Sequence, residues 1–173
     1  MNIILKNKDS ILRPLKVSDA KSTCKYIKGN KKYFKYSTTM RFPHPISMEK
    51  KFIQNTIKNW KTGEGYEFGI IVNGEVIGCI GLHVNKKDNN AELGYWLAKE
   101  FSGKGITTNA VKKVIKFGFN KIKLKRIYAY VIKGNIPSIK ILTKSGFKEE
   151  GLLKKHKKLR KKYYDYYIFG KTK

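Results

Sequence analysis

A short loop with two glycines has the residues to hold an anion. Gly103-Lys104-Gly105 follows a predicted strand and precedes a predicted helix, whose first N–H groups have no partner within the helix. Glycines let a pyrophosphate approach the backbone without meeting a Cβ, Lys104 adds charge, and Thr107 and Thr108 carry hydroxyl donors. The same residues also fit a plain tight turn into a helix. The loop is therefore a candidate phosphate cradle, with the simple turn as the alternative.

Two familiar phosphate motifs do not describe this loop. A dinucleotide fingerprint has a third glycine three residues after Gly105, where this chain has Thr108. A P-loop has Gly-Lys-Ser/Thr after a longer loop. Neither motif fits.

The second candidate for chemistry is a carboxylate inside an apolar strand. Glu92 lies in the run at residues 91–97, and the chain has only 12 acidic residues. Burial there would raise the pKa of the carboxyl toward a value useful for a general base, which favours a functional role. The alternative is a surface carboxylate that balances nearby lysines.

The elements before these residues alternate between strand and helix. A strand at residues 11–15 precedes a helix that starts with Ser18-Asp19 as N-cap and runs to about residue 27. A second amphipathic helix starts with Ser47 as N-cap, after an irregular aromatic segment at residues 33–46.

The rest of the pattern continues the alternation. Strands at residues 66–72 and 75–83 flank Asn73-Gly74, the strongest short signal for a two-residue hairpin. After the strand at 91–97 come a helix, a strand, a short helix and a last strand, at residues 107–122, 126–132, 135–145 and 162–169. This order predicts one α/β domain over residues 1–173, with a mixed central sheet of about six or seven strands and helices on both faces.

Composition limits the class of protein. With 173 residues and 40% hydrophobic residues, the chain is long enough for one well-buried core. The N-terminus has no signal-like apolar run and no segment approaches a membrane span, so we expect a cytoplasmic protein without a membrane partner. Cys24 and Cys79 are isolated, which predicts buried or inert thiols and no metal site.

The formal net charge of +27 would ordinarily suggest a polyanionic partner. Of the 39 basic residues only four are arginine, although recognition of bases and phosphates favours the arginine fork. Compositional bias is therefore the favoured interpretation, ahead of dedicated nucleic-acid binding.

Several sequence blocks, in this order, resemble the GNAT superfamily of N-acetyltransferases, and within it the branch that acetylates the N-termini of ribosomal proteins. These blocks lie at residues 12–15, 41–45, 78–83, 92–97, 100–105, 135–138 and 144–147. The resemblance covers almost the whole chain. It implies an acetyltransferase fold and acetyl-coenzyme A (acetyl-CoA) as co-substrate, with an amine as acceptor.

The resemblance also implies how the donor is held. Backbone amides of the glycine loop would bind the pyrophosphate, and the strand at 91–97 would splay from the strand at 126–132 so that the pantetheine pairs with its Leu97 end. The family often has Gln or Arg where this chain has Glu100, so a side-chain phosphate contact is not expected there. The cofactor-binding residues would be Tyr95, Trp96, Leu97, Phe101, Ser102, Gly103, Lys104, Gly105, Ile106, Thr107, Asn135 and Ser138.

By the same resemblance, Glu92 is the expected general base beside the acetyl group. Many members of the superfamily protonate the leaving thiolate with a tyrosine at the position of Leu142. Ser138, the serine of the ribosomal branch, is expected to do so here, and it is equally a candidate N-cap for the helix that follows. His44 and Glu92 would contact the acceptor; for His44 the alternative is a packing or solvated residue.

The acceptor is less constrained by the sequence. An α-amine with a pKa of about 8 is roughly a tenth neutral at about pH 7, whereas a lysine amine costs roughly 4.6 kcal/mol to deprotonate. The excess of basic residues disfavours a polyamine, because an acidic pocket would be hard to assemble. A peptide N-terminus is therefore favoured over a small amine or antibiotic.

The basic run at residues 154–162 is either a solvated segment or a weak ribosome or RNA contact. A non-catalytic nucleic-acid-binding protein is the third alternative for the function. The sequence leaves monomer and homodimer open.

Overall fold

One mixed sheet organises the part of the chain that the structure describes. The computed structural model describes residues 4–7, 10–31, 34, 37, 42–159 and 161–173. Its strands and helices are β1 Leu5–Asn7, β2 Ser10–Pro14, α1 Ala20–Gly29, α2 Ile46–Thr62, β3 Gly65–Val72, β4 Glu75–Asn85, β5 Asn90–Leu97, α3 Ile106–Phe117, β6 Arg126–Ile132, α4 Ile136–Lys144, β7 Lys148–Leu159 and β8 Lys162–Thr172. Over these ranges the sheet has eight strands in the order β1-β2-β3-β4-β5-β6-β8-β7. The predicted mixed α/β fold is confirmed, with β1 as a short edge strand that the sequence pattern did not show.

Neighbouring strands are antiparallel except for β5 and β6, which run parallel. The predicted hairpin between β3 and β4 is present, and its two turn residues, Asn73 and Gly74, have φ of 48° and 81°. Two positive φ values in a two-residue loop match the right-handed twist of the strands on either side. The turn therefore fixes the register in which β3 and β4 pair.

Helices cover both faces of the sheet. On one face Ala110 and Val114 of α3 pack in the same cluster as Ile80 of β4. On the other face Ala20 of α1 and Ile53 of α2 pack with Cys79, the residue before Ile80. Successive residues of a strand point to opposite faces, so the two clusters lie on opposite sides of β4. Both thiols, Cys24 and Cys79, are buried and unpaired, as predicted.

One predicted helix start is wrong, and one candidate N-cap is not used. The second helix begins at Ile46, and the carbonyl of Pro45 rather than the Ser47 hydroxyl receives the first helical N–H groups. Ser138 is not an N-cap either, because α4 begins after Asn135, whose side-chain oxygen accepts the Ser138 N–H. In both cases several residues near the start were able to cap, and the sequence does not show which one the chain uses. The predicted irregular segment at 33–46, including Arg41, lies largely outside the described residues.

The basic run at residues 154–162 belongs to an element that the sequence analysis missed. Most of it lies in β7, which pairs with β8 along the edge of the sheet. Lys157 is half-buried, with its ammonium 4.8 Å from the centre of the Tyr130 ring. The sequence of the run does not show the alternation of apolar and polar residues that is typical of a strand. Lysine stems can cover apolar surface while the ammonium group stays in water, so lysines occupy both faces of this strand.

A buried ion pair fixes the chain between β2 and α1. The guanidinium of Arg13 donates to both carboxylate oxygens of Asp19, at 2.7 and 2.9 Å, and the N–H of Lys16 donates to Asp19 at 2.7 Å. Burial opposes ionisation of Asp19, but these donors outweigh it and hold the pKa of its carboxyl below the usual value. The pair therefore ties the end of β2 to the start of α1.

We predict that Asp19→Asn lowers the free energy of unfolding by roughly 2 kcal/mol, because it leaves the partly buried Arg13 charge without its counter-ion. Urea unfolding at neutral pH measures this change. Glu75→Gln, which removes the exposed pair with Lys25, is the matched control and should cause little change. Equal effects of the two substitutions would contradict the proposed importance of the buried pair.

Candidate functional site

The glycine loop lies directly before α3, as predicted. After β5 the chain makes a 3-10 turn, Lys99–Phe101, and then passes through Gly103 and Gly105 with φ of 79° and 75°. Only glycine adopts this backbone without strain. A Cβ built on either glycine would meet nothing within 4 Å, so the loop borders open space. The geometry fits a cradle for a bulky anion at the N-terminal end of α3.

The loop is tied to the end of α1. The side-chain amide of Asn30 donates to Glu100, at 3.1 Å to one carboxylate oxygen, and its carbonyl accepts the N–H of Lys99 at 3.1 Å. The rings of Tyr26 and Phe101 meet edge to face, with centroids 5.7 Å apart. The carboxylate of Glu100 therefore serves as a structural partner of Asn30.

Beside the loop, β5 and β6 part from each other. Their parallel pairing covers three residue pairs and ends at Glu92 and Tyr128. Beyond that point β5 stays with β4 up to Leu97, and β6 stays with β8 up to Ile132. The two strands thus diverge and leave a cleft along the β6-facing edge of residues 93–97. This is the splay that the sequence resemblance implies.

A glycine lets β4 approach β5 at the inner end of the cleft. Gly78 is paired with Leu97, and a Cβ at Gly78 would overlap the carbonyl oxygen of Trp96. Any larger residue there would shift the backbone of β5 next to the glycine loop. Gly78 is therefore a structural requirement of the cleft.

Three predicted cofactor-site residues are brought together on the α3 side of the cleft. The hydroxyl of Tyr95 donates to the carbonyl oxygen of Ser138 at 3.3 Å, which links β5 to the first turn of α4. Burial raises the pKa of Tyr95, so the phenol stays protonated. Asn135 caps the same turn. The Ser138 hydroxyl makes no hydrogen bond to the described residues, which leaves it available as a donor.

Glu92 lies on the opposite face of the sheet from Tyr95. It is half-buried, paired in register with His83 on β4 and with Tyr128 on β6, and its carboxylate has no hydrogen-bond partner among the described residues. The pKa of Tyr128 is raised by burial and by the nearby Glu92 charge. Ser138 and Glu92 therefore lie on opposite sides of the cleft, and their roles as acid and base stay predictions.

His44 is buried at the start of α2. Its Nε2 lies 2.9 Å from a carboxylate oxygen of Glu49, and its Nδ1 is buried without a partner among the described residues. Burial raises the pKa of Glu49, and the hydrogen bond to His44 offsets part of the rise. A contact between His44 and an acceptor stays a prediction.

The sequence analysis missed one residue of this face, Glu67 on β3. Glu67 is paired with Gly81 on β4, and Gly81 is paired with Gly94 on β5, so the three form one row across the sheet. Burial and the neighbouring Glu49 raise the pKa of Glu67 to about 8. Its sequence signal was the one used for Glu92, an acid inside an apolar strand.

We predict that Glu67 makes the stability of the protein depend on pH. A carboxyl whose pKa is about 8 in the folded chain, against an ordinary 4.5, favours folding at low pH and loses that contribution as the pH rises toward 8. The loss is at most about 1.4 kcal/mol per pH unit. The melting temperature of Glu67→Gln, relative to that of the wild type, should therefore rise between pH 5 and pH 8.5. Circular dichroism measures both melting temperatures. For the control Glu64→Gln, at an exposed site, the curve of melting temperature against pH should run parallel to that of the wild type. A parallel curve for Glu67→Gln as well would disprove the raised pKa of Glu67.

The order of elements, the glycine loop and the cleft are those expected of an N-acetyltransferase. Residues 10–148 match the family model described as "Acetyltransferase (GNAT) domain". The chain belongs to this family. It is an acetyl-CoA-dependent acyltransferase, which replaces the alternative of a non-catalytic nucleic-acid-binding protein.

Individual relatives agree with the family assignment. The chain is 35% identical over 162 residues to "Uncharacterized N-acetyltransferase p20" of Bacillus licheniformis, covering 92% of this chain and 90% of the relative. It is 31% identical over 150 residues to "Putative ribosomal N-acetyltransferase YdaF" of Bacillus subtilis, covering 84% and 81%. Among solved structures, Mycobacterium smegmatis RimJ in complex with CoA-disulfide superposes with a TM-score of 0.86 at 26% identity, covering 94% of this chain and 81% of that one.

None of the helices in the described ranges combines the length and the apolar character needed to cross a bilayer.

Proposed function

We propose that the protein transfers an acetyl group from acetyl-CoA to the α-amino group at the N-terminus of a protein or peptide. The observation that carries this proposal is the face of the cleft opposite α3, where the half-buried Glu92 carboxylate has no hydrogen-bond partner among the described residues. One weak base is enough for an α-amine, since only about 1.4 kcal/mol is needed to deprotonate it at about pH 7. The name of the relative YdaF, a putative ribosomal N-acetyltransferase, supports the same direction.

The donor would be held by the residues around the glycine loop. Backbone amides from Phe101 to Ile106 would bind the pyrophosphate, with Lys104 and Thr107 beside them, and the free edge of β5 at Tyr95, Trp96 and Leu97 would pair with the pantetheine. The thioester supplies an activated acetyl group. Asn135 would contact the donor from the start of α4, and the Ser138 hydroxyl would give a proton to the departing thiolate.

Glu92 would accept a proton from the acceptor nitrogen at the mouth of the cleft. Its position next to Tyr128, where the two strands separate, puts a carboxylate at the place where an amine can approach from the face opposite α3. The Tyr128 and Tyr130 rings, with centroids 5.6 Å apart, line the β6 side of this face. An acceptor with an extended backbone would lie between this aromatic wall and Trp96, whose ring is packed 5.5 Å from Phe34.

A small-molecule amine is the second candidate acceptor, because the cleft is open to any primary amine that reaches Glu92. The +27 charge of the chain disfavours a polyamine among these. Association with the ribosome through the lysines of β7, and a cytoplasmic location, stay predictions.

The acceptor class is tested by coenzyme A thiol release with a panel of substrates. We expect the highest kcat/KM with peptides that carry a free N-terminus, at least tenfold above the same peptides with a blocked N-terminus and a free lysine. Spermidine and an aminoglycoside should be poorer still. Preference for a small amine would move the proposal to the second candidate, and absence of turnover with every amine would overturn it.

A second prediction concerns the donor loop. Gly105→Ala places a side chain on a backbone with φ of 75°, so the loop must shift, and we expect coenzyme A affinity to fall roughly tenfold in calorimetric titration. Gly74→Ala is the matched control: its φ is 81°, its surroundings are equally open, and it lies in the β3–β4 turn. Both variants should lose similar stability, but only Gly105→Ala should lose affinity. Equal affinities would remove the loop from the donor site.

A further inference from the structure

The face of the sheet next to Glu92 carries a groove with a glycine floor. Gly81 and Gly94 are neighbours in register, and Glu67 is the next residue of the row. Among the described residues, a Cβ at Gly94 would have only His83 Nε2 near it, at 4.0 Å, whereas a Cβ at Gly81 would overlap the Glu67 carboxylate. We call the surface over Gly81 and Gly94, together with the Glu67 side chain at its end, the glycine groove. Its inner end is filled by Glu67, and its outer end over Gly94 is open.

The walls of the groove are the adjacent rows of the same sheet face. On one side His83 of β4 pairs with Glu92 of β5, and on the other side Cys79 pairs with Trp96. Residues two apart in a strand share a face, so the side chains of both rows stand beside the groove. The pairing of β5 with β6 ends at Glu92, two residues before Gly94. The groove therefore opens into the cleft where the transfer takes place.

The two acids at this groove differ from the other acids of the chain. Neither the Glu67 nor the Glu92 carboxylate has a hydrogen-bond partner among the described residues, and both are half-buried. Exposed Glu149 is also without such a bond. The remaining described carboxylates are used within the fold, in pairs that join Asp19 to Arg13, Glu49 to His44, Glu64 to Thr62, Glu75 to Lys25, Asp88 to Asn85, Glu100 to Asn30, Glu150 to Arg126 and Asp165 to the Lys155 N–H.

We propose that Glu67 is a second catalytic carboxylate, which binds the ammonium group of the acceptor at the inner end of the glycine groove and takes its proton. This inference rests on the proposed function. Because the floor has no side chains over two strands, the groove admits a compact primary amine next to the cleft. Glu67 removes the first proton of the ammonium group, and Glu92 then acts on the resulting neutral nitrogen at the mouth of the cleft.

The protons balance over one turnover. Glu67 accepts one proton from the ammonium group, which leaves a neutral nitrogen with a free electron pair. That nitrogen forms the new C–N bond with the acetyl carbon, and the C–S bond breaks. Glu92 takes the nitrogen's second proton and passes it to water, while the thiolate receives a proton from the Ser138 hydroxyl, which water then replaces. Glu67 releases its proton to water when the product leaves. The pKa of Glu67, about 8, is close to that of an α-amine, so the first transfer is nearly thermoneutral.

The titratable groups that face Glu67 come from three elements. Glu49 at the start of α2, with its partner His44, contributes negative charge that raises the pKa of Glu67. Cys79 on β4 stays neutral, because burial raises the pKa of its thiol far above the ordinary value. His83 on β4 and Glu92 on β5 form the neighbouring row.

The proposal is tested by the pH dependence of kcat/KM with a peptide acceptor. In the wild type, kcat/KM should pass through a maximum near pH 8 and fall above it, because the groove binds the ammonium form. Glu67→Gln should be about 100-fold slower at pH 7, and its profile should rise to the pKa of the amine and then stay level, since only neutral amine reacts. Glu92→Gln should be slower but keep the fall above pH 8. A Glu67→Gln profile that is merely scaled down, with the same maximum, would overturn the proposal.

A second variant tests the groove without touching a carboxylate. Gly94→Ala has room for its methyl group and an ordinary backbone, so it should fold normally, yet the methyl fills the outer end of the groove. We expect the acceptor KM to rise at least tenfold with the acetyl-CoA KM unchanged. Gly29→Ala, with nothing within 4 Å at the end of α1, is the control and should leave both constants unchanged. If the wild-type protein turns over and Gly94→Ala has the same acceptor KM, the groove is refuted but the proposed function is not. If the wild-type protein turns over no amine, the proposed function itself is refuted.

Discussion

The parallel hydrogen bonding between β5 and β6 stops after three residue pairs, and the site depends on where it stops. Up to Glu92 and Tyr128 the two strands are held at normal sheet spacing. Past that point each strand follows its other neighbour, β5 with β4 and β6 with β8. A longer ladder would close the cleft and a shorter one would split the sheet. The close approach of β4 to β5 at Gly78 and the Tyr95–Ser138 bond at α4 hold the two sides in this arrangement.

The sequence predicted the parts of the fold whose signals are local. Asn73-Gly74 predicted the hairpin because a two-residue turn requires positive φ at both positions. Gly103 and Gly105 predicted the loop for a similar reason. Strand β7 was missed because Lys157 and its neighbours mask the alternation of a strand that is half covered by aromatic rings. The start of α2 was misplaced because both Pro45 and Ser47 are acceptable there, and the local sequence does not distinguish between them.

In the candidate site too, residues with a local sequence signal were predicted and those that depend on distant neighbours were not. Glu92 was identified from an acid in an apolar run, and the structure places it where the strands part. Glu67 carries an equal signal, but its importance depends on Gly81 and Gly94 lying beside it in register. Register joins residues that are far apart in the chain, and the local pattern of each strand does not contain that information. His44 illustrates the opposite case, since a histidine in a proline-flanked segment gives no sign that it will be buried against Glu49.

The pairing of carboxylates within the fold has a consequence for substrate encounter. With most acids engaged internally, the surface field is set by lysine, and its sign is positive over a chain of net charge +27. Such a field draws in a polyanionic donor and repels a cationic acceptor at long range. Added salt screens both effects, with a Debye length of about 10 Å at 0.1 M. The two substrates should therefore respond to ionic strength in opposite directions, with slower capture of the donor and faster arrival of the acceptor as salt increases.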